Sequence, residues 1–337
     1  MRSMGKIQIT HTYDDIISLE NLLVAWQEFV KGKHSRKDVQ EFERDLMSNI
    51  ISLHNDLAAR TYKHSVYEAF NISDPKPRNI HKAKVRDRLL HHAIYRILYP
   101  CFNKMFIADS YSCRIGKGTH KAINRFRAFA HKVSKNHTKT AWVLKCDIRK
   151  FFASIDHAVL KHILAKHITD KDTLWLLGEV IDSFHTEGKE DIGLPLGNLT
   201  SQLLVNIYMN EFDQFVKHTI KAKYYIRYAD DFVFLHQGKK YLESLIPQIL
   251  EFLSVHLKIA LHPDKLFIKT FASGVDFLGW VHFPNHRVLR AATKRRMFRN
   301  IKTKDGKEEM VQSYLGLIGH GNSWELRGKV KDLIMTL

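Results

Sequence analysis

Two adjacent acidic residues stand in the segment with the clearest chemical potential, Tyr228-Ala229-Asp230-Asp231. The stretches beside it, 224–228 and 232–235, are aromatic and apolar and predict two strands that meet at an acidic turn. A two-residue connection reverses the chain in a hairpin, so it would hold both carboxylates rigidly beside a sheet. Rigid oxygen ligands suit Mg²⁺. Taken alone, a solvated turn explains the residues equally well, because Asp is a common turn residue.

A third acid lies upstream. The run Trp142-Val143-Leu144 predicts a buried strand, and Asp147 stands at its end. Phosphoryl transfer by two metal ions roughly 4 Å apart needs carboxylates that contact both ions. Asp147, Asp230 and Asp231 would supply this set. The alternative for Asp147 is a strand-end acid that caps the next helix.

Four segments, in this order, resemble the palm motifs of a reverse transcriptase. They are Asp147 with the following Phe151-Phe152, Gly-Asn-Leu-Thr-Ser-Gln at 197–202, Tyr-Ala-Asp-Asp at 228–231, and Phe-Leu-Gly-Trp at 277–280. Residues 76–80 with 87–88 are similar to the fingers of that family, and residues 313–316 and 320–322 to the thumb of its group II intron branch. The resemblance covers most of the chain. It implies an α+β, right-hand polymerase fold with fingers, a palm built on an antiparallel sheet, and a helical thumb.

One detail of the second motif points to a particular branch. Intron and retroviral relatives usually have Gln before its glycine and Pro at its end, where this chain has Leu196 and Gln202. This departure resembles the diversity-generating retroelement branch, whose enzymes copy a template RNA with frequent errors opposite adenine during mutagenic retrohoming. That branch implies a structured template RNA and a small basic accessory protein as partners. Two alternatives stay open: a reverse transcriptase of another bacterial lineage, of the defence or intron type, with ordinary fidelity, and a catalytically idle RNA-binding scaffold.

The resemblance also implies the metal and nucleotide ligands. Asp147, Ile148, Asp230 and Asp231 would bind two Mg²⁺ ions, which Mn²⁺ can replace. The residues expected to contact the incoming deoxynucleoside triphosphate are Lys76, Arg78, Ile148, Phe152 and Gln202.

Physical reasons accompany some of these roles. The guanidinium of Arg78 offers a planar pair of donors to phosphate oxygens. A ring at Phe152, five positions after Asp147, would clash with a ribose 2′-hydroxyl, although Phe151 and Phe152 equally suit a core. Gln202 replaces a rigid proline, and a softer floor under the base pair would loosen its geometric selection. At the position of Lys265 the family has a lysine that is proposed to protonate the departing pyrophosphate. The alternative is an ordinary surface lysine, which is common in a basic protein.

Charge and composition agree with a nucleic-acid partner. The 337 residues include 53 Lys and Arg against 35 Asp and Glu, a formal charge of +18, and 45% are hydrophobic. This balance predicts a folded protein that binds polyanions such as a template RNA and a primer. The three cysteines show no metal-ligand spacing and no secretory segment is apparent. We therefore expect a soluble, bacterial or phage-encoded protein of the reducing cytoplasm, without a membrane partner.

The chain predicts three regions. Residues 1–65 form an N-terminal helical extension, with two amphipathic helices within 14–63, residues 66–283 hold the interleaved fingers and palm, and residues 284–337 form a basic helical thumb. No acid occurs between Arg287 and Lys304, and the cations of this stretch predict a helical stripe that follows a nucleic-acid backbone. The residues of this stripe are Arg287, Arg290, Lys294, Arg295 and Arg299.

Overall fold

A computed structural model describes residues 11–73, 77–303 and 306–335. Lys76 therefore lies outside the described residues. The chain divides into two compact units that alternate along the sequence: the first takes residues from 1–108, 148–220 and 249–260, and the second from 109–147, 221–248 and 261–337. Within the described ranges, no helix is long and apolar enough to cross a membrane. The predicted boundaries after residues 65 and 283 stay predictions.

Helices and antiparallel strands make up the fold, which confirms the predicted α+β class. The helices are α1 (Tyr13–Ile17), α2 (Leu19–Val30), α3 (Lys37–Arg44), α4 (Leu46–Ala58), α5 (Val85–Met105), α6 (Thr119–Val133), α7 (His157–Ala165), α8 (Lys171–Asp182), α9 (Leu199–Gln214), α10 (Lys239–His256), α11 (Ala291–Thr303), α12 (Glu308–Ile318) and α13 (Trp324–Met335). The strands are β1 (Glu68–Ile72), β2 (Arg78–Lys82), β3 (Trp142–Asp147), β4 (Tyr225–Tyr228), β5 (Asp231–His236), β6 (Phe267–Thr270), β7 (Val275–Phe277), β8 (Trp280–His282) and β9 (Arg287–Leu289).

The N-terminal region contains four helices, α1 to α4, where the apolar spacing predicts two. Ser18 separates α1 from α2, because its backbone is extended (ψ 141°) and its side chain accepts a hydrogen bond from the amide of Asn21 as an N-cap. Asp45 separates α3 from α4 with a non-helical backbone. The apolar face of α2 is buried and packs against α5 within the first unit. The predicted amphipathic character is thus present, but over shorter segments.

The rest of the first unit contains a hairpin and a helical core. β1 and β2 pair antiparallel, with Ile72 opposite Arg78. Helix α9 packs against α5 and α7, and most of its residues are buried. Because α9 begins at Leu199, the motif at 197–202 crosses from a loop into the first turn of a buried helix.

The second unit is built on a four-stranded sheet with the order β4-β5-β3-β6. β3 is central and pairs antiparallel with both β5 and β6. Helix α6 covers this sheet, and Phe126 from α6, Ile226 from β4 and Val233 from β5 belong to one buried core. A three-stranded sheet, β7-β8-β9, and the helices α11 to α13 complete the unit. The C-terminal end of β3 and the N-terminal end of β5 lie side by side at one edge of the central sheet, and the acidic residues lie there.

Candidate active site

The hairpin predicted around the two adjacent acids is confirmed. β4 ends at Tyr228, β5 begins at Asp231, and these two residues are paired across the ladder. Ala229 and Asp230 therefore form a two-residue connection, and Ala229 has the left-handed backbone (φ 54°) that such tight turns require. Asp230 thus lies in the turn, whereas Asp231 is held by the sheet.

β3 brings the third acid to the same place. Asp147 is the last residue of β3 and the direct cross-strand partner of Asp231. Neighbouring strands lie about 4.8 Å apart, so the pairing places the two backbones side by side. The structure therefore brings Asp147, Asp230 and Asp231 together at one edge of the sheet of the second unit, as the sequence predicts.

Two lysines contact these carboxylates. Lys265 Nζ lies 2.7 Å from Asp147 Oδ1, and Lys145 Nζ lies 3.1 Å from Asp231 Oδ2. The amide of His262 donates to the carbonyl of Asp147 (2.7 Å) and so anchors the short turn that carries Lys265. The sequence predicts a role for Lys265, whereas Lys145 was not predicted. The signal for Lys145 was strand alternation, because it stands two residues before Asp147 and shares its face.

The environment of Asp231 perturbs the pKa of its carboxyl. Burial raises the pKa of its carboxyl to about 7, while the ammonium of Lys145 opposes that rise. Its Oδ1 atom is buried and has no hydrogen-bond partner among the described residues. A buried carboxylate oxygen that accepts no hydrogen bond is suited to bind a cation, because leaving such an atom unpaired costs free energy. The residues present thus fit a divalent metal ion, and Asp147, Asp230 and Asp231 stay its predicted ligands.

The remaining predicted ligands lie in the first unit. Arg78 is the exposed first residue of β2. The amide of His81 on β2 donates to the carbonyl of Leu196 (3.0 Å), and Asn198 Nδ2 donates to the carbonyl of His81 (2.9 Å). Gly197 lies between these bonds with a φ of 108°, and a Cβ there would come within 2.9 Å of Ile80 Cγ2. Gly197 therefore permits a close approach between the loop before α9 and strand β2.

A cavity of about 300 Å³ in the first unit includes Gln202 in its wall. Its lining is strongly basic, and part of it comes from the N-terminal helices and from the loop after α2. This contribution was missed, because nothing in the local sequence shows that α2 packs beside the motif. The lining includes Phe29, Lys33, Arg36, Ile80, Lys82, Arg88, Asn198 and Gln202.

The two phenylalanines after Asp147 differ in exposure. Phe151 is buried, at 4% exposure, whereas Phe152 is half-buried and its ring contacts that of Phe151 at 5.7 Å. Phe151 is therefore a core residue, and Phe152 is the ring with a face available to a ligand. The side chain of Ile148 is only 1% exposed, which leaves its main-chain carbonyl as its available ligand atom.

The predicted basic stripe is divided between a strand and a helix. Arg287 lies on β9, packs over the ring of Trp280 (5.6 Å) and donates to Asn124 Oδ1 (2.9 Å). Arg290 precedes α11 and forms an ion pair with Asp276. These two arginines thus have internal partners and do not belong to a helical stripe. Lys294, Arg295 and Arg299 do lie on α11, and their binding of nucleic acid stays a prediction.

Comparison with known proteins identifies relatives. Residues 71–282, more than half of the chain, match the profile of the family described as reverse transcriptase (RNA-dependent DNA polymerase). Protein YkfC of Escherichia coli K12 is 26% identical over 267 residues, which span 68% of this chain and 68% of that protein. The group II intron-encoded protein LtrA of Lactococcus lactis is 23% identical over 62% of this chain and 44% of its own length.

Two further similarities cover a larger part of this chain. The putative COX1/OXI3 intron 2 protein of Saccharomyces cerevisiae is 20% identical over 86% of this chain. The chain spans 39% of that protein's length, so it corresponds to less than half of the intron-encoded relatives it matches. Among solved structures, apo telomerase from Candida tropicalis, truncated from its C-terminal domain, aligns over 72% of this chain and 60% of its own, with a TM-score of 0.49 and 12% identity.

Proposed function

Because this chain belongs to the reverse transcriptase (RNA-dependent DNA polymerase) family and has a mixed fold of helices and antiparallel sheets consistent with a right-hand polymerase, we propose that it copies a template RNA into DNA from deoxynucleoside triphosphates. The observation that carries the proposal is the cross-strand pairing of Asp147 with Asp231, beside Asp230 in the adjoining turn. Three carboxylates at one sheet edge are what nucleotidyl transfer requires.

The acids would hold two Mg²⁺ ions together with the main-chain carbonyl of Ile148. When bound, such ions stabilise the attacking and leaving oxygens of an in-line displacement at phosphorus. Asp231 supports this assignment through its buried, unpartnered Oδ1. The primer 3′-oxygen attacks the α-phosphorus, and pyrophosphate leaves. Lys265 lies on Asp147 and is an ammonium that can donate a proton to the departing pyrophosphate.

The first unit would select the nucleotide. We assign the triphosphate to Arg78, with Lys76 as a further cation, since a guanidinium binds phosphate oxygens in pairs. Phe152 is the sugar gate, because its ring is half-buried whereas Phe151 is enclosed. Gln202 contacts the base-pair region from the first turn of α9. All three cysteines are free thiols, which favours the reducing cytoplasm as the compartment.

Primer extension on matched RNA and DNA templates with Mg²⁺ tests the proposal. We expect RNA-templated product from the wild type and a loss of at least about 10²-fold in Asp147→Asn and Asp230→Asn, because each removes a ligand charge from the transition state. Asp264→Asn is the matched control, since this carboxylate is exposed beside Lys265 and outside the proposed set. Equal extension rates in all four proteins would show that these carboxylates do not take part in the reaction. Absence of any metal-dependent product from the wild type would overturn the proposal and favour an idle RNA-binding scaffold.

We further propose that the enzyme is error-prone at template adenines and serves a diversity-generating retroelement, with a structured RNA and a small basic accessory protein as partners. Leu196 and Gln202 support this proposal, because they replace the residues usual in the intron and retroviral branches. The backbone N–H of Gln202 makes only a long hydrogen bond to the carbonyl of Asn198 (3.4 Å). A proline at this position would therefore remove only a weak backbone hydrogen bond from the first turns of α9.

Sequencing of the products tests this second proposal. Gln202→Pro should lower the error rate opposite adenine. Gln202→Met keeps the length of the side chain but removes the side-chain amide, so it separates the effect of hydrogen bonding from the effect of backbone rigidity. Accurate synthesis by the wild type would instead identify a reverse transcriptase of another bacterial lineage with ordinary fidelity. Extension that depends on an added basic partner would support the accessory protein.

A further inference from the structure

We propose that His157, Asp182 and Asp191 bind a divalent transition-metal ion of the Zn²⁺ type. All three belong to the first unit, and the proposed polymerase reaction uses none of them. Each offers a ligand atom, and these atoms lie within 4.8 Å of one another. The proposal rests on how the imidazole of His157 is held.

The ring of His157 has a fixed tautomer. His157 begins helix α7, and its Nε2 atom lies 2.7 Å from the carbonyl oxygen of Gly193. A carbonyl only accepts hydrogen bonds, so Nε2 carries the proton and donates it. In a neutral ring, Nδ1 then presents a lone pair. Histidines that bind metals are commonly oriented in this way, with the other ring nitrogen donating to a backbone carbonyl.

The lone pair of Nδ1 faces negative charge. His157 is only 2% exposed, and its Nδ1 has no hydrogen-bond partner among the described residues. Asp182 Oδ1 lies 3.4 Å away, and the carboxylate of Asp191 completes the cluster. Two acceptors and a buried lone pair repel one another unless a cation lies between them. A positive charge bound at Nδ1, either a metal ion or a proton, would relieve this repulsion.

The two carboxylates have the freedom to close on an ion. Both aspartates are exposed, and Lys161 Nζ lies 2.5 Å from Asp182 Oδ2, on the oxygen that does not face the imidazole. Zinc binds imidazole nitrogen at about 2.0–2.1 Å and carboxylate oxygen at about 2.0–2.2 Å. Small rotations of the exposed side chains would bring their oxygens within that range, while the buried ring stays fixed. Water would complete the coordination sphere.

The nitrogen ligand indicates the class of metal. Imidazole suits Zn²⁺ and its first-row neighbours, whereas Mg²⁺ prefers oxygen ligands alone. A mixed set of one histidine and two carboxylates therefore favours a transition metal and differs from the all-oxygen set at Asp147, Asp230 and Asp231.

Binding there would tie three segments together. Asp182 ends α8, His157 begins α7, and Asp191 lies in the connection that follows α8. That connection is already fastened, because the amide of His157 donates to the carbonyl of Asp191 (3.0 Å) and the amide of Thr186 to that of Ile192 (2.7 Å). It continues directly into the motif at 197–202. A bound ion would thus stabilise the approach to that motif.

Titration of the whole chain with Co²⁺, a coloured substitute for Zn²⁺, tests the inference. We expect one tightly bound equivalent in the wild type and an affinity at least about ten-fold weaker in the double variant Asp182→Asn/Asp191→Asn. The matched control is Glu187→Gln/Glu190→Gln, which removes the same charge from two exposed residues of the same connection. His157→Gln, with its fold checked by circular dichroism, should weaken binding as the aspartate variant does.

The proposed polymerase site is tested separately. The double variant Asp147→Asn/Asp230→Asn should bind the same Co²⁺ equivalent, because it changes only proposed ligands of the polymerase site. This outcome therefore does not depend on polymerase activity. Equal affinities in the aspartate variant and the glutamate control would overturn the inference and assign the ion to scattered histidines. Absence of a tight equivalent in the wild type would overturn it as well, leaving a proton on His157 to balance the two carboxylates.

Discussion

Lys265 donates a hydrogen bond to Asp147, with Nζ 2.7 Å from Oδ1. Because the two residues are far apart in the sequence, the contact is made by the fold, through the amide of His262 on the carbonyl of Asp147. The ammonium thus lies on a carboxylate that we assign to the metal. It can neutralise the acid in the free enzyme and donate to phosphate when substrate is present.

Replacing Lys265 separates these two roles. Lys265→Arg keeps the charge but cannot donate a proton at neutral pH, since a guanidinium stays protonated. If the lysine is the acid, both Lys265→Ala and Lys265→Arg should lower the rate of single-nucleotide incorporation by about 10²-fold or more, as expected for lost general acid catalysis. Rapid-quench kinetics across pH 6–9 measure this. Full rescue by arginine would show that only the ion pair matters.

Phe152 and Phe151 form a matched pair for testing the sugar gate. Phe152→Val should raise the incorporation of ribonucleotides relative to deoxynucleotides by about ten-fold or more, because it removes the ring that would meet a 2′-hydroxyl. Phe151→Val should leave that ratio unchanged and lower the free energy of unfolding by about 1–3 kcal/mol, since its ring is buried. Competition between the two nucleotide types on one RNA template gives the ratio. The opposite assignment of effects would make Phe151 the gate.

Asp231 should make stability depend on pH. Its pKa is raised from 3.8 to about 7 in the folded chain, so between these values the folded state holds a proton that the unfolded state has lost. The free energy of unfolding therefore falls as the pH rises through that window, by up to about 4 kcal/mol. The fall should be smaller in Asp231→Asn. Urea unfolding in EDTA at several pH values between 4 and 8 measures both curves.

The exposed carboxylate of Asp264 provides the control for that experiment. Asp264→Asn should follow the wild-type curve, because the side chain of Asp264 is 88% exposed to solvent. Parallel curves for wild type and Asp231→Asn would contradict the effect of burial. A divalent cation should stabilise the wild type more at high pH than at low pH, since a proton and a metal compete for the same carboxylate.

Local patterns in the sequence were enough to predict the acidic hairpin and its partner strand. Apolar and aromatic runs on both sides of Asp230 and before Asp147 predicted β3, β4 and β5, and the two-residue turn fixed the position of Asp231. The α+β class followed from the same motifs. These features depend on interactions between residues that are close in sequence or on a short ladder.

Features set by distant contacts were not predictable in this way. Strand alternation places Lys145 on the same face as Asp147, but its ion pair with Asp231 depends on the register between β3 and β5. The break at Ser18 depends on one side-chain cap within an otherwise continuous helical pattern. Phe29 and Lys33 line the cavity beside Gln202 only because α2 packs on α5, which no spacing within α2 reveals.

Arg295 and Arg299 should contribute to nucleic-acid binding through charge alone. They lie four residues apart on α11, so both face one side of the helix, and both are exposed. Each phosphate contact changes the slope of log K against log salt by about 0.9, so Arg295→Ala/Arg299→Ala should flatten that slope by about 2 on a primer–template duplex. Fluorescence anisotropy at several salt concentrations measures this slope.

The control variant Lys171→Ala/Lys240→Ala removes the same charge from exposed positions on α8 and α10 and should leave the slope unchanged. Equal flattening in both pairs would mean that the duplex responds to net charge and that α11 has no special role.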